Sequence, residues 1–208
     1  MHKRAAGAGR RFESSPFVKE AGPLWKQATA AAFLDALAAG DLPGRAFNRW
    51  LGQDYHFARG LLSFQAIVLA RVPRPAHATL IGGLAALDSE LVWFEAHARR
   101  RDVSLDAPLH PACRRYTDFL IRAAYTEHPR ALVAMLFGVE VSYLAAWSAL
   151  EPKGPYAEFI ERWSNPRFEE YVQALRRLAE EHHDAAGQQL FNEVLVHERE
   201  FWRMSREG

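Results

Sequence analysis

Apolar residues in this chain recur at spacings of three and four over long segments, and almost nowhere do they alternate with a period of two. That pattern predicts an all-α protein whose helices are punctuated by glycine and proline. The first helix is expected from Leu24 to Ala39, with Gly40 as its stop. Further helices are expected over Gly44–Val72, Ala76–Arg100, Pro111–Thr126, Pro129–Leu150, Tyr156–Arg162, Phe168–His183 and Ala186–Arg206. Asp106–His110 reads as a loop and Glu151–Pro155 as a turn. The connections are short, so successive helices should pack antiparallel in one bundle. The segment ALVAMLFGVEVSYLAAW is apolar nearly all round, which places it at the bundle centre.

Composition narrows the function classes. A chain of 208 residues with 49% hydrophobic residues fits one domain with a sizeable core. The 26 basic and 25 acidic side chains give a net charge of +1, without the basic excess that phosphate binding favours, so nucleic acid is not the expected partner. One cysteine, Cys113, cannot form an internal disulfide, and a reducing, cytoplasmic compartment is expected. No uninterrupted apolar run reaches the ~18 residues of a membrane span, so no membrane partner is expected. The opening MHKRAAGAGRRF is basic and lacks the apolar stretch of a secretory signal. Residues 1–22 are therefore expected to form a flexible basic tail, and residues 23–208 the helical domain.

The most informative residue is Glu140. Within Ala131–Ala146 the only other side chains able to hydrogen-bond are Ser142 and Tyr143. A buried carboxyl without a counter-charge has a raised protonation equilibrium, which is what a general acid or base needs. Tyr143, three residues on, shares its helix face. The same spacing pairs Asp54 with Phe57, and Glu198 with Phe201. If the three faces converge, they form a slot with flat aromatic walls and carboxylates on its rim, suited to a planar heteroaromatic ring bearing amino groups. Read singly, Asp54 and Glu198 are equally surface partners for Arg49, Arg59, Arg199 or Arg203.

Three segments together, FNRWLGQDYHF, CRRYTDFL and EREFWRMS, make the chain resemble the TenA family, also known as thiaminase II or aminopyrimidine aminohydrolase. The resemblance runs from about Leu24 to Ser205. It implies a single-domain haem-oxygenase-like helical bundle, a homotetramer, with no cofactor. It also implies hydrolysis of an aminomethyl-pyrimidine to 4-amino-5-hydroxymethyl-2-methylpyrimidine, a salvage step toward thiamine. By position, Asp54 would hold the ring amino group, and Glu198 would handle the proton beside Phe201. Phe57, Tyr116 and Trp163 would line the pocket. Many family members carry a nucleophilic cysteine where this chain has Phe137-Gly138; its GVEVSY segment resembles the subgroup that uses a glutamate instead. That departure implies smaller aminopyrimidines or their N-formyl derivatives as substrates, with little cleavage of thiamine.

Two other readings use the same residues. A di-iron oxidase on this fold would draw on Glu90 and His97, seven apart, and on Glu140, but His182, His183 and Asp184 are adjacent and point in different directions on a helix. His197, next to Glu198, faces away from it by roughly 100°. No histidine in the first helix is placed to hold haem. The last reading is a non-catalytic pyrimidine-binding or regulatory protein, which would have no need of a third acid in the core.

Overall fold

A computed structural model describes residues 12–206, and among them the regular structure is entirely helical. The helices are α1 (Pro16–Ala21), α2 (Pro23–Thr29), α3 (Ala32–Ala39), α4 (Gly44–Arg71), α5 (His77–Arg100), α6 (Pro111–Thr126), α7 (Pro129–Ser148), α8 (Ala157–Trp163), α9 (Pro166–Glu180) and α10 (Ala185–Arg206). Short 3₁₀ turns precede α5 and α8.

The helix starts follow capping chemistry. Each of α6, α7 and α9 opens with proline in its first turn, where a missing N–H costs nothing. The ring Nδ1 of His110 accepts from Ala112 N, that of His128 from Arg130 N, and the Asn165 side chain from Phe168 N at 3.0 Å. The Asn165 cap is why α9 starts two residues before the expected Phe168. Gly40 stops α3 in the left-handed conformation, at φ 78°.

Two expectations need correction. The first helix is not continuous: Ala30 and Ala31 are extended, at φ/ψ of −125/98° and −122/148°, and separate α2 from α3. Nothing local in QATAAAF demands the break. It re-aims α3 so that Phe33 stacks against Trp202 at 5.7 Å and contacts Trp50 at 5.9 Å. The tail boundary at residue 22 also fails. Phe12, Phe17, Val18 and Ala21 are buried, and Phe17 packs on Phe137 and Phe191, so the domain includes this segment. The remainder of the expected tail, residues 1–11, lies outside the described residues.

α7 sits at the centre, against α9 and α10, while α4 packs on α5 and α6 and touches α7. By length and composition α7 could cross a membrane, but it is buried inside the bundle almost throughout. Trp50 anchors an aromatic core, with Phe47, Phe94, Trp147, Phe159 and Trp163 within 6.4 Å between ring centroids.

Gly83 on α5 is a point of close approach. A Cβ there would overlap the Gln65 amide and the Tyr171 hydroxyl. Gln65 cannot easily yield, because its Nε2 donates to Leu80 O at 2.8 Å and its Oε1 accepts from Tyr171 at 3.1 Å. Gly83→Ala is expected to cost about 1–3 kcal/mol by overpacking, read as a fall in Tm of roughly 3–10 °C. An unchanged Tm would show that the Gln65 amide is not fixed in place.

Candidate active site

Four helices each send one acid to the same interior region. Asp54 comes from α4, Glu90 from α5, Glu140 from α7 and Glu198 from α10. Asp54, Glu140 and Glu198 are 4%, 6% and 4% exposed, so Asp54 and Glu198 are core residues and not surface salt-bridge partners. Arg199 and Arg203 pair instead with Glu200, and Arg59 lies over the Tyr55 ring.

Three of the acids have a neutral donor from another helix. Tyr143 Oη donates to Asp54 Oδ2 at 2.7 Å. Tyr116 Oη donates to Glu198 Oε1 at 2.7 Å. Trp163 Nε1 donates to Glu90 Oε1 at 2.9 Å. Tyr143 therefore serves Asp54 and not its own-helix neighbour Glu140. The Glu140 carboxyl makes no hydrogen bond among the described residues, and it lines a cavity of about 40 Å³. Asp54, Phe57, Leu87, Glu90, Tyr143, Trp163 and Phe168 share that lining.

The cavity gathers five of the eight expected site residues: Asp54, Phe57, Glu140, Tyr143 and Trp163. Tyr116, Glu198 and Phe201 lie immediately behind Phe57, whose ring is 4.6 Å from Tyr116 and 5.6 Å from Phe201. The slot is thus divided by Phe57, and a volume of about 40 Å³ holds little more than a water or two. A substituted pyrimidine enters only if the aromatic walls rotate.

Burial dominates the electrostatics. It pushes Glu140 up to about 8, with the negative charges of Glu90 and Glu198 adding to the effect. It pushes Glu198 to about 8 against the opposing Tyr116 hydrogen bond. Asp54 is raised well above the usual carboxylate range, mainly by burial, with the Tyr143 bond opposing. Glu90 is raised by burial and held back by Trp163 and by the charge of Arg162. The cluster therefore stores protons near neutral pH, as acid–base chemistry requires.

Sequence reasoning missed Glu90 as a member of this cavity, and missed Phe168 and Leu87 beside it. Among DSELVWFE, Glu90 has no local mark that distinguishes it from a solvated acid. The metal-ligand set is not brought together. His97 turns to Arg100 Nη2 at 2.6 Å and Glu158 at 3.5 Å. Asp184 caps α10 through Gly187 N, while His183 packs edge-on to Phe17. Among the described residues no three His, Cys, Asp or Glu side chains converge on a metal-binding point. Cys113 is buried, donates to Gln53 O at 3.4 Å, and has its thiol pushed up to about 12, far from a nucleophilic thiolate. His197 stacks on Tyr116 at 5.0 Å and is not part of the cavity lining.

An all-α bundle closed around buried acids and aromatic rings defines the class. The chain matches the TENA/THI-4/PQQC family over residues 18–208 and belongs to that family. A soybean (Glycine max) relative described as a "Probable bifunctional TENA-E protein" is 28% identical over 203 residues, covering 88% of each chain. The solved structure of a TenA homologue from Pyrococcus furiosus superposes with a TM-score of 0.86 at 26% identity, covering 91% of this chain and 97% of the other. A protein from Silicibacter described as a TenA family transcription regulator shares the fold at a TM-score of 0.85, with 21% identity and full coverage of both chains.

The raised Glu140 carboxyl has a stability signature. The folded protein holds this proton more tightly than the unfolded chain, so its contribution is fully present below the ordinary value of 4.5 and is lost as pH rises through about 8. Glu140→Gln cannot ionise. Its unfolding free energy relative to the parent is expected to improve between about pH 4 and about pH 9, by on the order of a few kcal/mol. Denaturant titrations at both pH values check this, and a constant difference would place the carboxyl in contact with solvent.

Proposed function

We propose that the protein is a thiaminase II-type hydrolase of thiamine salvage. It replaces the amine or formylamine on the methylene arm of a small pyrimidine by hydroxyl, giving 4-amino-5-hydroxymethyl-2-methylpyrimidine. The observation that carries this reading is Glu140: a deeply buried carboxyl with no hydrogen-bond partner among the described residues, facing an aromatic-walled cavity beside two further acids. A structural acid would be paired, because an unpaired buried charge is costly.

In this reading Glu140 takes a proton from water as the water adds to the methylene carbon, or adds to the ring itself. Glu198, kept protonated by burial and oriented by the Tyr116 hydroxyl, supplies the proton to the ring nitrogen or the departing amine. Asp54, oriented by Tyr143, holds the ring amino group, and Phe57, Trp163, Phe201 and the two tyrosines form the walls. The lack of a reactive thiolate, with the one cysteine, Cys113, buried and its thiol pushed up to about 12, supports a small pyrimidine over thiamine. The reading also carries a cytoplasmic homotetramer.

Incubation with aminomethyl-pyrimidine, its N-formyl derivative and thiamine, with release of ammonia and formation of the hydroxymethyl product followed separately, tests the reading. Turnover of one of the two smaller compounds is expected. Glu140→Gln is expected to lower kcat/KM by about 10²–10⁴-fold. Full activity in that variant would remove Glu140 from the chemistry, and binding without turnover would make the protein a pyrimidine receptor.

A further inference from the structure

We infer that the cleft between the start of α3 and the last two turns of α10 is a second binding site, one for the phosphoryl group of a small organic phosphate. It shares no lining residue with the acid-walled cavity, and it does not depend on the hydrolase reading. The cleft encloses about 470 Å³, the size of a small-molecule site. Three arginines of α10 line it, Arg199, Arg203 and Arg206, and no acid does. Their spacings of four and three put them on one helix face.

In a chain of net charge +1 this local excess is left largely uncompensated. Glu200 Oε1 accepts from Arg199 at 3.1 Å and from Arg203 at 2.9 Å, and so offsets one of the three charges. Among the described residues Arg203 makes no other hydrogen bond and Arg206 makes none, so most of their N–H donors stay free. Arg206 also borders a depression containing Asp35 and Asp41, and it pairs with neither among the described residues. The dipole of α10 favours cations in its last turn. It gives no reason for Arg199 further back, whose Nη1 is fixed by Gln27 Oε1 of the cleft at 2.9 Å.

The facing wall adds donors of its own. It is formed by Ala30, Ala31 and Ala32, where the chain breaks between α2 and α3, and methyl side chains leave the space open. Ala31 is the N-cap of α3 and has no side chain to cap it, so the first N–H groups of this eight-residue helix lack a side-chain acceptor. Trp202 also lines the cleft; it is 1% exposed, and its Nε1 has no hydrogen-bond partner. The one side-chain acceptor in the lining, the Gln27 amide oxygen, is already taken by Arg199. The cleft is therefore rich in donors and poor in acceptors, the reverse of the acid-walled cavity. A phosphate monoester brings close to two negative charges and three acceptor oxygens, and guanidinium forks match that geometry. A lone carboxylate brings one charge and fills one fork.

Calorimetric titration of the full chain with inorganic pyrophosphate and with ADP, at low and high salt, tests this. One saturable site per chain is expected for both compounds, weakening as salt is raised. Arg203→Gln and Arg206→Gln should each raise Kd by about 10–100-fold, the scale of one charge-assisted hydrogen bond. Arg45→Gln removes a cation from the adjoining depression, outside the cleft lining, and should change Kd by less than about 3-fold. Ala31→Asp puts a carboxylate at the N-cap of α3. It should keep or raise Tm, because aspartate caps a helix, and abolish binding by placing a negative charge in the cleft; the retained Tm excludes a folding failure as the cause. No saturable binding of either compound, equal losses in Arg45→Gln and Arg203→Gln, or full binding in Ala31→Asp would overturn the inference. Turnover of pyrimidines is read separately, so either reading can fail without the other.

Discussion

A group of carboxyls buried without a cation among them is the constraint on which the rest of this structure depends. Removing an ionised acid from water costs several kcal/mol unless it finds a proton or a partner. Here the partners are neutral: two phenols and an indole, each from a different helix than the acid it serves. Each such bond contributes about 0.5–1.5 kcal/mol net. These three bonds also tie α4 to α7, α6 to α10 and α5 to α8. The packing of the bundle and the chemistry of its interior are therefore one arrangement. Of the four acids, Glu140 alone makes no hydrogen bond among the described residues.

The aromatic core makes this arrangement rigid where it must be. Trp163 shows how closely the two functions are joined. One edge packs within 4.9 Å of Trp147 and 5.6 Å of Trp50, and its indole N–H orients Glu90. Phe57 has the opposite character. It stands between the cavity and the Tyr116–Glu198 pair, so its rotation would join two spaces that the resting structure keeps apart.

Family membership and site chemistry rest on different supports. The match over residues 18–208 and the superposition on TenA structures establish the family and the helical fold. The chemistry follows from the acids, since one fold hosts many functions. The raised proton affinity of Glu140 and Glu198 comes from burial and not from family membership.

Much of this was legible in the amino-acid order. Helix α6 ran between the expected ends, and Glu140 stood out because a lone acid in an apolar helix has no local escape from burial. The break at Ala30–Ala31 was not legible, because poly-alanine carries no stop signal and the bend serves Phe33 packing on Trp202. Asp54 and Glu198 remained ambiguous, and Glu90 was invisible as a cavity residue. Their partners lie 89, 82 and 73 residues away in the chain, and contacts at such separations leave no periodicity to read. Sequence alone determined which segments are helices and which helix must be buried, since hydrophobic spacing is a property of one helix. The tertiary structure decided which acids share a cavity and which donors satisfy them, since that depends on the rotation and register of helices packed against one another.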